Sequence, residues 1–83
     1  ILTQAQLLNE QGLPVNGIAY FSTHGRGVTG VDKQGSMIGD GRFEFSWGEN
    51  ISFAIDTFEL GEIRGNKTAF HLTELAQGNE GKR

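Results

Sequence analysis

The sequence predicts an all-β domain, a small antiparallel β-sandwich with about seven short strands. Three observations predict it. Thirteen glycines stand against a single proline in 83 residues, roughly twice the usual glycine share of about 7%, which marks many tight turns. Two stretches, Arg42 to Trp47 and Ile51 to Ile55, alternate apolar and polar residues with period two. No segment is both long and periodic enough to form a crossover helix, so a parallel βαβ fold is excluded.

Thr3 to Leu8 contains fair helix formers in Ala5, Gln6, Leu7 and Leu8, but the run is too short to hold as an isolated helix. It is expected as a first edge strand. Asn9-Glu10-Gln11-Gly12 has turn composition, and Pro14 presets an extended connection. Ile18 to Ser22, apolar on both faces, is a central strand. Thr23 to Asp40 is polar and glycine-dense, a long connection with one or two short strands around Val28 and Met37.

In Arg42 to Trp47 the side chains of Phe43, Phe45 and Trp47 are expected to face inward. Gly48-Glu49-Asn50 turns the chain, and Ile51, Phe53 and Ile55 repeat the pattern. These two strands are expected to pair as a hairpin, and their six apolar residues form the predicted core. Phe58 and Leu60 make a short strand, Gly61 to Lys67 a polar turn, and Phe70 and Leu72 alternate in a last strand that leaves His71 exposed. Residues 1–76 thus form one domain, and the polar residues 77–83 are expected to be a disordered tail.

Composition narrows the function classes. The net charge is −3, and the seven Lys and Arg are scattered, which gives nucleic acid no basic footprint. No cysteine is present, so disulfides and thiolate zinc sites are excluded. No apolar run approaches the roughly 20 residues that span a bilayer. The chain starts at Ile1 rather than Met and ends in a polar stretch, so it is expected to be a piece of a longer protein.

The chemical motifs are weak. Gly25-Arg26-Gly27-Val28-Thr29-Gly30 fits the GxGxxG spelling of dinucleotide sites, but Val31-Asp32-Lys33-Gln34-Gly35 follows it where a helix is required. Asp32, Asp40, Glu49 and Asp56 adjoin glycine turns. Asp32 and Asp40 are the candidates for calcium, yet one carboxylate per loop falls short of six to eight oxygen ligands, and Asx-turn capping is the plainer role. His24 and His71 have no serine in a nucleophile elbow beside them, so no catalytic residue is assigned and no cofactor is expected. Asn50-Ile51-Ser52 and Asn66-Lys67-Thr68 spell glycosylation acceptors. Tyr20 and Trp47 could form an exposed platform, although their inward phase favours packing.

Gln6 to Ile18, with Gly12-Leu13-Pro14-Val15-Asn16-Gly17, resembles the opening of carboxypeptidase-regulatory-like (transthyretin-like) β-sandwich modules. Pro14-Val15-Asn16-Gly17-Ile18-Ala19-Tyr20, Gly27-Val28-Thr29, Gly41-Arg42-Phe43-Glu44-Phe45-Ser46-Trp47-Gly48-Glu49-Asn50-Ile51-Ser52-Phe53-Ala54-Ile55 and Leu60-Gly61 also resemble a repeated module of bacterial secreted proteins and lipoproteins. Gly30 departs from the Asp usual after the Thr, and the loop to Asp40-Gly41 is longer than the pattern. The matched residues are turn formers (Gly12, Pro14, Gly17, Gly41, Gly48) and core aromatics. The resemblance therefore implies a prealbumin- or immunoglobulin-like fold and a setting: a non-catalytic extracytoplasmic module, secreted, periplasmic or lipoprotein-anchored. Such a module serves as a structural, adhesion or protein-interaction unit of a larger envelope protein. A small calcium- or carbohydrate-binding domain using the Thr23 to Asp40 loop is the alternative. A protein or envelope partner is expected, and self-association through the edges Thr3 to Leu8 and Phe70 to Leu72 is a further expectation.

Overall fold

A computed structural model describes residues 2–23 and 25–75. It contains seven strands: β1 Leu2–Leu8, β2 Ala19–Ser22, β3 Gly25–Val28, β4 Arg42–Ser46, β5 Asn50–Ile55, β6 Phe58–Arg64 and β7 Ala69–His71. They form two sheets, one of three strands in the order β4-β1-β7 and one of four in the order β3-β2-β5-β6. Every pairing is antiparallel except β1 with β7, which is parallel. The fold is the all-β two-sheet arrangement that the glycine turns and alternating strands predict. The tail at 77–83 lies outside the described residues.

The core lies between the layers. Ala5 and Leu7 of β1, Phe43 and Phe45 of β4 and Phe70 of β7 enter it from one sheet, and Ile51, Phe53 and Ile63 from the other. Phe43 sits among the aromatics, edge-on to Phe53 with ring centroids 5.1 Å apart, and 5.7 and 5.8 Å from Phe45 and Phe70. Each such contact adds about 0.5–1.5 kcal/mol beyond the burial itself. Gly65 belongs to this packing, because a β-carbon there would lie 2.4 Å from the Phe45 ring.

Four expectations about pairing and phase are corrected. Arg42 to Trp47 and Ile51 to Ile55 are not a hairpin: β4 belongs to one sheet and β5 to the other, so the Gly48 turn is an arch between layers. Alternation marks which side chains face the core. It is the same for two strands side by side and two strands face to face, and stacking buries the two apolar rows against each other. Thr3 to Leu8 is not an edge either, since β1 lies between β4 and β7. Its lack of charge is what an interior strand needs. β6 runs on through Arg64 and buries Ile63, which shortens the turn expected at Gly61 to Lys67. Leu72 leaves the last strand for a single helical turn at residues 72–75 that buries Leu75.

Two residues expected in the core are not there. Trp47 is 54% exposed and Ile55 46%. Trp47 follows the last paired residue of β4 and stacks on Phe45 at 6.4 Å instead of entering the interior. Ile55 sits at the tip of the β5–β6 hairpin, past an irregularity in pairing between Phe53 and Ala54, where the strand outruns the buried core. The turn beyond it places Asp56 at φ 53°, the one left-handed non-glycine residue among those described.

Candidate functional site

The Thr23 to Asp40 segment, the candidate ligand loop, combines turns closed by its own hydrogen bonds with bonds to the rest of the sandwich. It begins with β3, and a bridge between Val31 and Met37 closes a small hairpin. Asp32 Oδ1 accepts the Gln34 and Ser36 N–H groups at 3.0 and 2.9 Å. Asp40 Oδ1 accepts the Arg42 N–H at 3.1 Å, and its Oδ2 lies 3.5 Å from Arg42 Nε. Both carboxylates act as Asx caps on their own turns. Among the described residues no group of three or more His, Cys, Asp or Glu side chains is placed to hold a metal ion.

Asn16 fixes this loop to the sandwich. Its side-chain oxygen accepts the Gly41 N–H at 2.8 Å, and its amide donates to the Gly39 carbonyl at 3.4 Å. Gly30 lies against it at φ 77°, where a β-carbon would come within 2.0 Å of Asn16 Oδ1. The departure from the Asp expected after Thr29 is therefore matched to Asn16. Gly41 is constrained similarly, with φ 71° and the Leu7 carbonyl 2.5 Å from any β-carbon. Thr29 beside Gly30 is fully buried, and its hydroxyl accepts the Ile18 N–H at 3.1 Å. The GxGxxG spelling thus falls on β3 and this turn, with no helix after it.

Glu49, in the arch, joins three elements. Its carboxylate accepts the Ser46 N–H, the Thr23 N–H at 2.6 Å and the Thr23 hydroxyl at 3.1 Å. The sequence placed Glu49 in a turn without indicating this reach of 26 positions back along the chain.

An open groove of about 830 Å³ runs between β3 and the facing edge of β4. Tyr20 lies in its floor, half-buried, and its hydroxyl oxygen accepts the Glu44 N–H at 3.3 Å. Burial pushes the Tyr20 pKa above its ordinary value; the Glu44 N–H opposes this and the Glu44 carboxylate adds to it. Gly27 is needed above the ring, since a β-carbon would lie 2.7 Å from the hydroxyl. Arg26, Lys33, Arg42, Asp32 and Glu44 are the charged residues of the groove. Trp47 is not among its lining residues, so the structure does not bring Tyr20 and Trp47 together in this groove.

His24 lies outside the described residues. His71 is exposed and its Nδ1 is 3.7 Å from Glu74 Oε2, while its backbone N–H donates to the same carboxylate at 2.9 Å. Lys67 Nζ completes the cluster, 2.8 Å from Glu74 Oε1 and 5.3 Å from the centre of the Phe70 ring. The remaining turn formers sit where the chain reverses: Gly12, Gly17 and Gly48 have φ of 83°, 84° and 93°, and Pro14 bridges to Leu8.

Sequence comparison places this chain beside much longer proteins. It is 60% identical over 77 residues to the "Accessory colonization factor AcfD" of Vibrio cholerae serotype O1, covering 93% of this chain and 5% of that protein. It is 52% identical over 75 residues to the "Putative lipoprotein AcfD homolog" of Escherichia coli K12 and to the "Putative lipoprotein YghJ" of Escherichia coli O78:H11, covering 90% of this chain and 4% of each. The chain thus spans only 4–5% of the length of the curated relatives it matches. No protein-family model matches it, and no solved structure matches it significantly. No helix among the described residues is long and apolar enough to cross a membrane.

Proposed function

We propose that this chain is a non-catalytic β-sandwich module acting as a structural and protein-interaction unit of a large extracytoplasmic envelope protein. The observation that carries this reading is the match itself: 52–60% identity held over nearly the whole chain against a slice of proteins named for colonization and as lipoproteins. The site chemistry supports it. Asp32, Asp40, Asn16 and Glu49 all accept hydrogen bonds from backbone N–H groups, which is what polar side chains do when their task is to hold a shape. The resemblance to carboxypeptidase-regulatory-like modules supports the same role by analogy of fold alone.

Two measurements test the proposal. Fractionation of cells expressing the full-length protein places it in the envelope or the medium; recovery in the cytoplasm overturns the setting. Thermal melts of the 83-residue chain in calcium and in EDTA should coincide within about a degree, whereas a rise of many degrees with calcium would establish the ligand-binding alternative.

A further inference from the structure

We infer that the free edge of β3 is a docking site for an extended peptide strand that carries apolar residues between acidic ones; this rests on the reading of the chain as an interaction module. An exposed strand edge presents unpaired backbone groups, and natural sandwiches close the edges they do not use. Three of the four edges here are blunted. Along β4, outward-facing groups meet partners inside the molecule: the Arg42 carbonyl accepts the Gly30 N–H at 2.9 Å, the Glu44 N–H meets the Tyr20 hydroxyl at 3.3 Å, and the Ser46 N–H meets Glu49. At β7 the His71 N–H is taken by Glu74. β6 carries Glu59, Glu62 and Arg64 along its length, and the Arg64 carbonyl accepts the Asn66 N–H at 2.8 Å.

β3 is different. The Thr29 N–H bonds the Ile18 carbonyl, which sets the phase of the β2–β3 ladder: Gly27 opposite Tyr20 turns its backbone groups toward β2. By alternation Arg26 and Val28 turn theirs away. The Val28 carbonyl is taken by the Val31 N–H at 3.2 Å. The N–H and C=O of Arg26 and the N–H of Val28 remain directed out of the sheet, beside the groove. A strand added there would continue the four-stranded sheet and roof the space toward β4.

The lining specifies the occupant. Position 27 is a glycine, so β3 sends no side chain inward at its centre, and the added strand must supply the apolar groups that meet Tyr20, Leu2 and Val31. Arg42 lies against Asp40, so Arg26 and Lys33 are the groove cations turned to an occupant, beside Asp32 and Glu44. Asp32 is moreover turned to its own backbone. A second copy of this chain fits poorly, because pairing β3 with β3 brings two Gly27 inward and crowds two Arg26. Main-chain bonds would supply affinity and the alternate side chains selectivity, as in other strand-addition complexes.

The test is a titration of the isotope-labelled 83-residue chain with the capped peptide Thr-Asp-Val-Thr-Val-Thr-Val-Asp-Thr, followed by amide shifts and hydrogen exchange. The expected result is perturbation and at least about tenfold slower exchange of the Arg26 and Val28 amides. Binding should weaken about fivefold or more in the folded double variant Arg26→Glu with Lys33→Glu, and with a peptide whose Asp are Lys. Val28→Pro should abolish it by removing a donor, and the charge variants decide the matter if that protein does not fold. Shifts confined to the β6 edge would overturn the inference but leave the interaction-module reading standing. The same amides protected in a peptide-free dimer on sedimentation would overturn it in favour of self-pairing. Peptide cleavage in the mass spectrum would overturn both readings.

Discussion

At Gly30 and Asn16 two residues 14 apart in the sequence share space that holds only one heavy group. Gly30 at φ 77° has its absent β-carbon 2.0 Å from Asn16 Oδ1. Gly30→Ala is therefore expected to cost about 2–4 kcal/mol, from left-handed strain of about 1–2 and the broken Asn16 to Gly41 bond. Asn16→Ala removes the clash as well as the bond, so the double variant should lose less than the sum of the singles in urea denaturation. Glu74 gives a second prediction at this scale. Burial alone would raise its pKa, but hydrogen bonds from Lys67 and the His71 N–H, with the charges of Lys67 and His71, bring it below the ordinary glutamate value. A depressed carboxylate pKa stabilises the fold fully above the unfolded value and loses that contribution as pH falls through the folded one. Thermal melts below about pH 4.5 should fall less steeply for Glu74→Gln than for the parent.

Among the elements, β1 carries the clearest difference between pattern and structure. A short uncharged strand at the start of a chain is expected at an edge, but β1 is bonded on both sides: the Leu7 N–H to the Gly41 carbonyl at 2.9 Å and the Gln6 N–H to the Thr68 carbonyl at 3.0 Å. Gln6→Pro should therefore cost about 3 kcal/mol or more and leave little folded protein by circular dichroism; an edge strand would have tolerated it. What the sequence made legible were the strands and their inward faces, because Phe43, Phe45, Ile51 and Phe53 alternate with polar neighbours. Layer assignment was not legible, since alternation carries no information on the partner of a strand. Nor were the long-range polar links: Glu49 and Asn16 stand in ordinary turn contexts, and only the folded chain brings Thr23 and Gly41 to them.

For the whole molecule, the arch between β4 and β5 means that neither sheet is built from one continuous stretch of chain. β4 pairs with β1 from early in the sequence, and β1 pairs on its other side with β7 from late in it. Both layers should therefore unfold together, in one transition. Backbone circular dichroism in urea should be single and sigmoidal. Tryptophan emission is expected to start near that of solvated indole and shift little across the same transition, because Trp47 is already 54% exposed. A strongly blue-shifted native emission would contradict the placement of Trp47 outside the core.

The parallel pairing of β1 with β7 also decides how the module carries tension. Leu2 lies at one end of β1, and His71 closes β7 at the other, with Gln6, Leu7 and Leu8 aligned to Ala69, Phe70 and His71. A pull on these two points draws the strands past each other lengthwise, so the bonds between them resist in concert. Antiparallel end strands would peel apart one bond at a time. Pulled at those two points, this small sandwich is loaded in shear across the β1–β7 pairing.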